Sequence, residues 1–144
     1  MAWSPAPRTV ARHAPPGLGC ERCRVGARTR SGAKEIANGI AQIYKDSYGR
    51  GPEAIRVYNV RQDAVLCVLE GTHSAAERTQ VEMGEARRVR ETRVFVQTGR
   101  RASSCDVVAA ATNRSVRGYV AGHDPVQDIS TEFFLLDPDP AERS

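Results

Sequence analysis

The sequence predicts an α+β fold, a two-layer sandwich in which helices pack on one face of a four-stranded, mostly antiparallel sheet. A chain of 144 residues has room for a single domain. Its hydrophobic residues (40%) and charged residues (26%) occur in the proportions of a globular protein. The apolar periodicity changes along the chain from helical to extended and back, and the predicted order of elements is α-β-β-α-α-β-β.

The first helix is predicted to begin with Ser31 as its N-cap and to end at Tyr48. Gly49 favours the left-handed conformation that ends many helices, and Pro52 cannot continue one. The apolar residues of this segment recur at helical spacing and share one face: Ile36, Ile40, Ile43 and Tyr44.

Two strands are predicted next, over residues 54–60 and 64–70. The second is apolar on both faces, which is typical of a central strand. The short polar segment Arg61-Gln62-Asp63 lies between the two strands and predicts that they form a hairpin.

A capping box, Ser74-Ala75-Ala76-Glu77, predicts a short helix that continues to Gly84. In this motif the serine hydroxyl accepts a hydrogen bond from the backbone three residues on, and the glutamate accepts one from the N-cap N–H. A catalytic carboxylate is the alternative interpretation of Glu77, but the capping role accounts for its position.

Residues 85–112 contain no proline and predict a long helix with a break or bend near Gly99, because glycine costs a helix about 1 kcal/mol relative to alanine. The predicted inward stripe consists of Val89, Thr92, Val96, Gly99, Ser103, Val107 and Ala110. Beside it lies a row that we call the arginine flank: Arg87, Arg90, Arg93, Arg100 and Arg101. The flank is a candidate partner-binding surface, and a solvated helix face is the alternative interpretation.

The last two strands are predicted over residues 115–121 and 130–136. The first places Val116, Gly118 and Val120 on one face, and the second ends in a run that is apolar on both sides. The segment Gly122-His123-Asp124-Pro125 between them is predicted to be a loop. Residues 138–144 are predicted to be a frayed C terminus.

The net charge of +4 comes from the N-terminal tail. Residues 1–30 hold six arginines and one glutamate, whereas residues 31–144 hold 15 bases and 16 acids. Four prolines interrupt the tail, so we predict a disordered segment over residues 1–30, followed by a single domain over residues 31–137. The chain has neither the apolar core of a secretory signal nor the roughly 18 consecutive apolar residues of a membrane helix. We therefore expect a cytoplasmic protein without a membrane span.

Four cysteines are present, and Cys20 and Cys23 have the two-residue spacing of a metal-binding or redox pair. A structural zinc site needs four ligands, and no second pair follows at similar spacing. Two incidental tail cysteines are therefore the interpretation that we favour, and metal binding by the pair stays open. Cys67 lies in an apolar run and is predicted to be a core residue. We predict no metal and no cofactor.

Two loops are candidate anion- or ligand-binding sites. The segment Tyr48-Gly49-Arg50-Gly51 combines glycines, which let a ligand approach the backbone, with the donors of a guanidinium group. A helix C-cap is the alternative that we favour. His123-Asp124 suggests a base with an orienting carboxylate, although a turn before Pro125 also explains the aspartate. His73 has no nucleophile in a recognisable frame with it, and no catalytic residue is predicted.

Several segments together resemble the MpsC-like family. They are residues 36–44, Tyr48-Gly49-Arg50-Gly51-Pro52, the passage from Leu69-Glu70-Gly71 into residues 76–79, and Gly122-His123-Asp124-Pro125 before the last strand. The resemblance covers residues 31–137. It implies a small cytoplasmic accessory protein in a bacterial system of sodium translocation and membrane-potential generation, and it implies no known reaction.

We therefore predict a non-catalytic accessory or regulatory protein, a homodimer that acts through contacts with a protein partner such as a membrane-protein complex. One alternative is a nucleic-acid-binding module that uses the basic tail and the arginine flank. Aromatic residues that stack on bases are not interleaved with these arginines, which disfavours this alternative. The other alternative is a small-anion sensor at Arg50 and His123.

Overall fold

The computed structural model describes residues 30–139, and the predicted order of elements is confirmed. The predictions about residues 1–29 and 140–144, including the tail cysteines, lie outside the described residues. We label the elements α1 (Arg30–Tyr48), β1 (Ala54–Val60), β2 (Ala64–Glu70), α2 (Ala75–Glu82), α3 (Ala86–Gly99), α4 (Arg101–Thr112), β3 (Val116–Asp124) and β4 (Ile129–Leu136).

The four strands form one antiparallel sheet in the order β1-β2-β4-β3. The hairpin between β1 and β2 is confirmed, and the apolar strand β2 is central, as its composition predicted. Because β2 also pairs with β4, Glu70 lies opposite Ile129. This pairing brings the loop after β2 next to the turn between β3 and β4.

The apolar core lies between the helices and one face of the sheet. From α1 it takes Ile36, Ile40 and Tyr44, which confirms the predicted face of this helix. The strands contribute Val65, Cys67, Leu69, Phe134 and Leu136, and α4 contributes Val108. The prediction of Ser31 as N-cap is wrong, since α1 already includes Arg30.

The predicted break near Gly99 is confirmed: α3 ends at Gly99 and α4 begins at Arg101. The predicted inward stripe is wrong in part, because Thr92, Gly99, Ser103 and Ala110 are exposed. The residues that are buried instead are Val89, Arg93, Gln97, Ser104 and Val108. Three of these five are polar, and a pattern of apolar residues cannot reveal a buried face that is mostly polar.

Two predictions about β3 are wrong: that Val116, Gly118 and Val120 share one face, and that residues 122–125 form a loop. A β-bulge explains the first. The pairing with β4 shifts between Val116 and Gly118, and the extra residue reverses which side chains face the core beyond this point. Tyr119 therefore packs on Phe134 in the core, whereas Val120 is 66% exposed on the opposite face. The strand also continues to Asp124, so His123 lies in a strand and not in a loop.

The face of the sheet that points away from the core is apolar as well. Within residues 30–139 the helices pack only against the core face, so no helix covers it. We call it the open sheet face; it carries Tyr58, Val60, Leu66, Val68, Val120, Phe133 and Leu135. The central strands keep these side chains half-buried, and the outer strands leave Tyr58, Val60 and Val120 exposed. An ion pair between Arg56 and Glu70 lies at its margin.

Candidate functional site

Polar side chains fill one end of the interface between helices and sheet, where β2 ends, α2 begins and the β3–β4 turn closes. We call them the polar cluster: Thr72, His73, Glu77, Arg93, His123, Asp128 and Ser130. Both histidines, Thr72, Arg93 and Ser130 are buried. The cluster meets solvent at His73 and Asp128, which border a cleft of about 240 Å³ together with Arg78, Glu82, Gln127 and other residues.

Asp128 holds the loop that leads from β2 into α2. It lies in the β3–β4 turn with a left-handed backbone (φ 54°), a conformation that aspartate tolerates better than most residues. Its Oδ1 accepts hydrogen bonds from the backbone N–H and the hydroxyl of Thr72, both at 3.0 Å, and its Oδ2 accepts one from the His73 N–H at 3.0 Å. Burial by itself would raise the pKa of Asp128, but the hydrogen bonds from His73 and Thr72 outweigh this effect, and the pKa is lowered overall.

The two histidines form a buried hydrogen-bonded pair, with their Nε2 atoms 2.7 Å apart. His123 Nδ1 lies 2.7 Å from Ser130 Oγ, and His73 Nδ1 lies 3.7 Å from Asp128 Oδ2. Burial and the neighbouring His73 lower the pKa of His123 to about 4. Burial also lowers the pKa of His73, although Asp128 opposes this. Both rings are therefore neutral at pH 7, and one Nε2–H donates to the other Nε2.

A buried ion pair lies beside the histidines. Arg93 is fully buried, and its Nε and Nη2 donate to the two Glu77 oxygens at 2.5 and 2.6 Å. Nη2 also donates to the Thr72 carbonyl at 2.7 Å, and the guanidinium carbon lies 3.7 Å from the centre of the Tyr48 ring. The predicted capping box with Ser74 is confirmed, so Glu77 serves both helix α2 and Arg93. Burial would raise the pKa of Glu77, but hydrogen bonds from Arg93 and from Ser74 lower it to about 2.

A second buried polar group lies deeper in the same interface, around Glu132. Tyr119 donates a hydrogen bond to Glu132, and Gln97 donates one to the Tyr44 hydroxyl at 2.8 Å. Burial raises the pKa of the Glu132 carboxyl. These residues continue the polar interior from the histidines toward the α3–α4 break.

The segment Tyr48-Gly49-Arg50-Gly51, predicted as a candidate anion-binding site, makes structural contacts within the domain. Gly49 ends α1 with φ 81°, as the C-cap interpretation predicted. Arg50 donates to the carbonyls of His73 at 3.1 Å and Gly71 at 3.4 Å, and to Glu53 at 3.4 Å. Its donors are therefore directed at the protein's own oxygens. Tyr48 lies against Arg93.

The structure does not bring His123 and Asp124 together. His123 is buried, whereas Asp124 is exposed and accepts hydrogen bonds from the N–H groups of Val126 and Gln127 at 2.9 and 3.2 Å. This is the turn that Pro125 suggested. The acid that lies beside the histidines is Asp128, which the sequence did not single out. The second histidine is His73, which the sequence analysis considered only as a catalytic residue and found without a partner. The two apolar strands β2 and β4 were the feature of the sequence that pointed to this site, because their pairing at the centre of the sheet places residues 71–73 beside residue 128.

The arginine flank is divided by the fold. Arg93 is buried in the ion pair with Glu77, so its predicted place on an exposed surface is wrong. Arg87, Arg90, Arg100 and Arg101 are exposed, and a partner at these four residues stays a prediction. Phe95, on the same helix, is 79% exposed.

The fold and the cluster describe a small α+β protein whose ionisable groups pair with one another inside the helix–sheet interface. Within residues 30–139, no helix combines the length and the apolar character that crossing a bilayer requires. A family model described as the Na+-translocating membrane potential-generating system (MpsC) matches residues 29–138. The chain belongs to the MpsC family, and the predicted resemblance is confirmed. No curated protein and no solved structure matches it significantly.

Proposed function

We propose that this protein is a non-catalytic accessory or regulatory component of a Na+-translocating, membrane-potential-generating system, on its cytoplasmic side. The observation that carries the proposal is the family match over residues 29–138. The polar cluster supports the non-catalytic part, because its ionisable groups are engaged with one another and with backbone groups. The protein then acts through its two exposed interaction surfaces, the open sheet face and the remaining arginine flank.

The open sheet face is proposed to bind a second copy of the chain. Its centre is apolar, and its margin carries both signs of charge in Arg56 and Glu70. In a two-fold dimer the same patch meets itself, so a surface that offers both signs is self-complementary. Burial of an exposed apolar sheet face provides the driving force.

The dimer is tested by light scattering on the full chain. We expect a mass twice the 15.7 kDa of one chain, and we expect Val120→Lys to reduce it to that of one chain. Val126→Lys is the matched control, because Val126 is 71% exposed but lies in the β3–β4 turn, outside the open sheet face. A monomeric wild type, or a Val120→Lys variant that stays dimeric, would contradict the proposal.

The exposed part of the arginine flank is proposed to bind an acidic surface of the membrane complex. Arg87 and Arg90 are exposed on α3, which also exposes Phe95, and Arg100 and Arg101 are exposed where α3 meets α4. Arginine and aromatic residues are enriched where protein interfaces gain most of their affinity. The surface therefore has the composition of a protein contact.

Co-purification from native membranes in mild detergent tests this contact. We expect the wild-type protein to retain integral membrane subunits of the Na+-translocating system, identified by mass spectrometry, after nuclease treatment. The double variant Arg87→Glu/Arg90→Glu should lose them, and Arg117→Glu, a charge reversal at an exposed residue outside the flank, should keep them. Recovery of the wild type only as an isolated species would sink the proposal, and retention that depends on nucleic acid would favour the nucleic-acid-binding alternative.

A further inference from the structure

We propose that His73, His123 and Asp128 form a binding site for a divalent transition-metal ion, with the two Nε2 atoms as ligands and the Asp128 carboxylate as the partner of His73 on its Nδ1 side. The family match assigns no such site, and the proposal does not depend on the proposed accessory function. It differs from the sequence-based expectation of no metal. The argument rests on the position, hydrogen bonding, charge and access of these three side chains.

The donor atoms converge on one point. The Nε2 atoms of the two rings face each other at 2.7 Å, and one donor atom from each of the three residues lies within 4.8 Å of the other two. Two imidazole nitrogens bound to the same zinc ion lie about 3.4 Å apart, because each bond is about 2.0–2.1 Å long. A small opening of the pair therefore admits the ion between the rings.

The second nitrogen of His123 already has a hydrogen-bond partner of the kind that ligand histidines use, and a carboxylate lies near the second nitrogen of His73. Metal-binding histidines donate their other N–H to a carboxylate, a carbonyl or another acceptor, which fixes the tautomer. Ser130 Oγ is in hydrogen-bond range of His123 Nδ1, and Asp128 lies on the Nδ1 side of His73. The Ser130 hydroxyl can donate or accept, so it permits either tautomer of His123.

Metal binding requires only a change of tautomer in one of the two histidines. Without metal, one ring donates its Nε2–H to the other. When the metal binds, the proton of that ring moves from Nε2 to Nδ1, and both Nε2 lone pairs become available. No proton is released from the neutral pair.

Charge and access are compatible with a cation. The neighbouring Arg93 is neutralised by Glu77, and Asp128 supplies a carboxylate next to the two rings. The Arg78 guanidinium lies at the cleft and donates to the His73 carbonyl at 3.2 Å, so Asp128 offsets this positive charge as well. Its Oδ2 is the less engaged oxygen, since Oδ1 accepts both Thr72 donors. The cleft beside His73 and Asp128 supplies an entry path and space for water ligands. Two imidazole ligands favour Zn2+, Co2+ or Ni2+ over Mg2+ or Ca2+.

The test uses the full chain without a histidine tag, with Cys20→Ser and Cys23→Ser to remove the tail thiols. Equilibrium dialysis with Zn2+ and the visible spectrum with Co2+ should show one bound ion per chain. We expect His73→Gln and His123→Gln each to lower the affinity at least 100-fold, and Asp128→Asn to lower it about 10–100-fold. His13→Gln is the matched control, because it removes the third histidine of the chain, and it should leave the affinity unchanged.

A measurement on the protein with all three histidines keeps the proposal falsifiable if a histidine variant fails to fold. In imidazole nitrogen NMR spectra, Zn2+ should shift Nε2 of His73 and His123 and leave His13 in place. Absence of stoichiometric binding, or binding that shifts neither buried histidine, would overturn the proposal. Binding by the chain with its natural cysteines that is absent from the Cys20→Ser/Cys23→Ser chain would also overturn the proposal and assign the metal to the tail.

Discussion

Arg93→Met is expected to lower the free energy of unfolding by about 3–5 kcal/mol, the cost of breaking a buried ion pair. Methionine keeps much of the volume and a high helix propensity, so the effect isolates the charge. The variant leaves the Glu77 carboxylate without its two strongest donors and the Thr72 carbonyl without a partner. Urea unfolding at pH 7, followed by circular dichroism, measures the change.

Two comparisons show whether the pair is the cause. Arg87→Met changes an arginine of the same helix whose side chain is 91% exposed, and should cost at most about 1 kcal/mol. The double variant Arg93→Met/Glu77→Gln removes both charges of the pair, and glutamine also fits the capping box. We expect it to be more stable than Arg93→Met alone. Equal loss in the double and single variants would show that the charge left behind is not the cause.

The ion pair also predicts a pH dependence. Because the pKa of Glu77 is lowered to about 2 in the folded protein, the unfolded chain binds the proton more readily. The contribution of Glu77 is therefore fully present above its ordinary pKa of 4.5 and is lost as the pH falls toward about 2. Glu77→Gln should flatten the stability profile in this acidic range.

Asp128→Ala is expected to lower the free energy of unfolding by about 3 kcal/mol or more. Three buried or half-buried donors of the loop after β2 lose their shared acceptor, and each unsatisfied group costs about 1–3 kcal/mol. Alanine also tolerates the left-handed backbone less well than aspartate. Hydrogen exchange should show faster opening of residues 71–73, next to the first turn of α2.

Asp124→Ala is the matched control for this prediction. Asp124 is the last residue of β3, directly before the same turn, and also accepts two backbone hydrogen bonds, but it is exposed, so water replaces the lost acceptor. We expect a cost of about 1 kcal/mol. Similar losses in the two variants would show that Asp128 does no more than shape the turn.

Asp128→Asn separates hydrogen bonding from charge. Asparagine keeps one acceptor oxygen and suits the left-handed backbone, so most of the stability should remain. Because backbone hydrogen bonds lower the pKa of Asp128, its contribution is present above the ordinary carboxyl pKa of 3.8 and is lost as the pH falls through the lowered value. The asparagine variant should lack this part of the acid sensitivity.

The local features of the fold could be predicted because their causes lie within a few residues. The capping box of Ser74 and Glu77, the end of α1 at Gly49 and the break at Gly99 each depend on neighbouring residues alone. The faces of α1 and β2 followed from apolar spacing, since these faces are covered by apolar partners. The bulge in β3 was missed because one inserted residue exchanges the two faces without changing the composition.

The candidate site could not be predicted in the same way, because its members are far apart in the chain. His73 and His123 are separated by 50 residues, and His73 and Asp128 by 55. A buried polar group is stable only with a hydrogen-bond partner, and which partner it meets depends on the order of the strands. Arg93 is a further example. An arginine is expected at the surface, but the ion pair with Glu77 places this one in the interior.

The sequence by itself determined the α+β class, the order of the elements, the MpsC family and the location of the chain's basic excess outside residues 31–144. Local propensity and apolar spacing suffice for these. Only the tertiary structure decided that Arg93 is internal, that β3 contains a bulge, and that His73, His123 and Asp128 meet. The physical reason is that strand pairing between β2 and β4 sets these contacts, and desolvation then requires each buried charge or ring to have its partner.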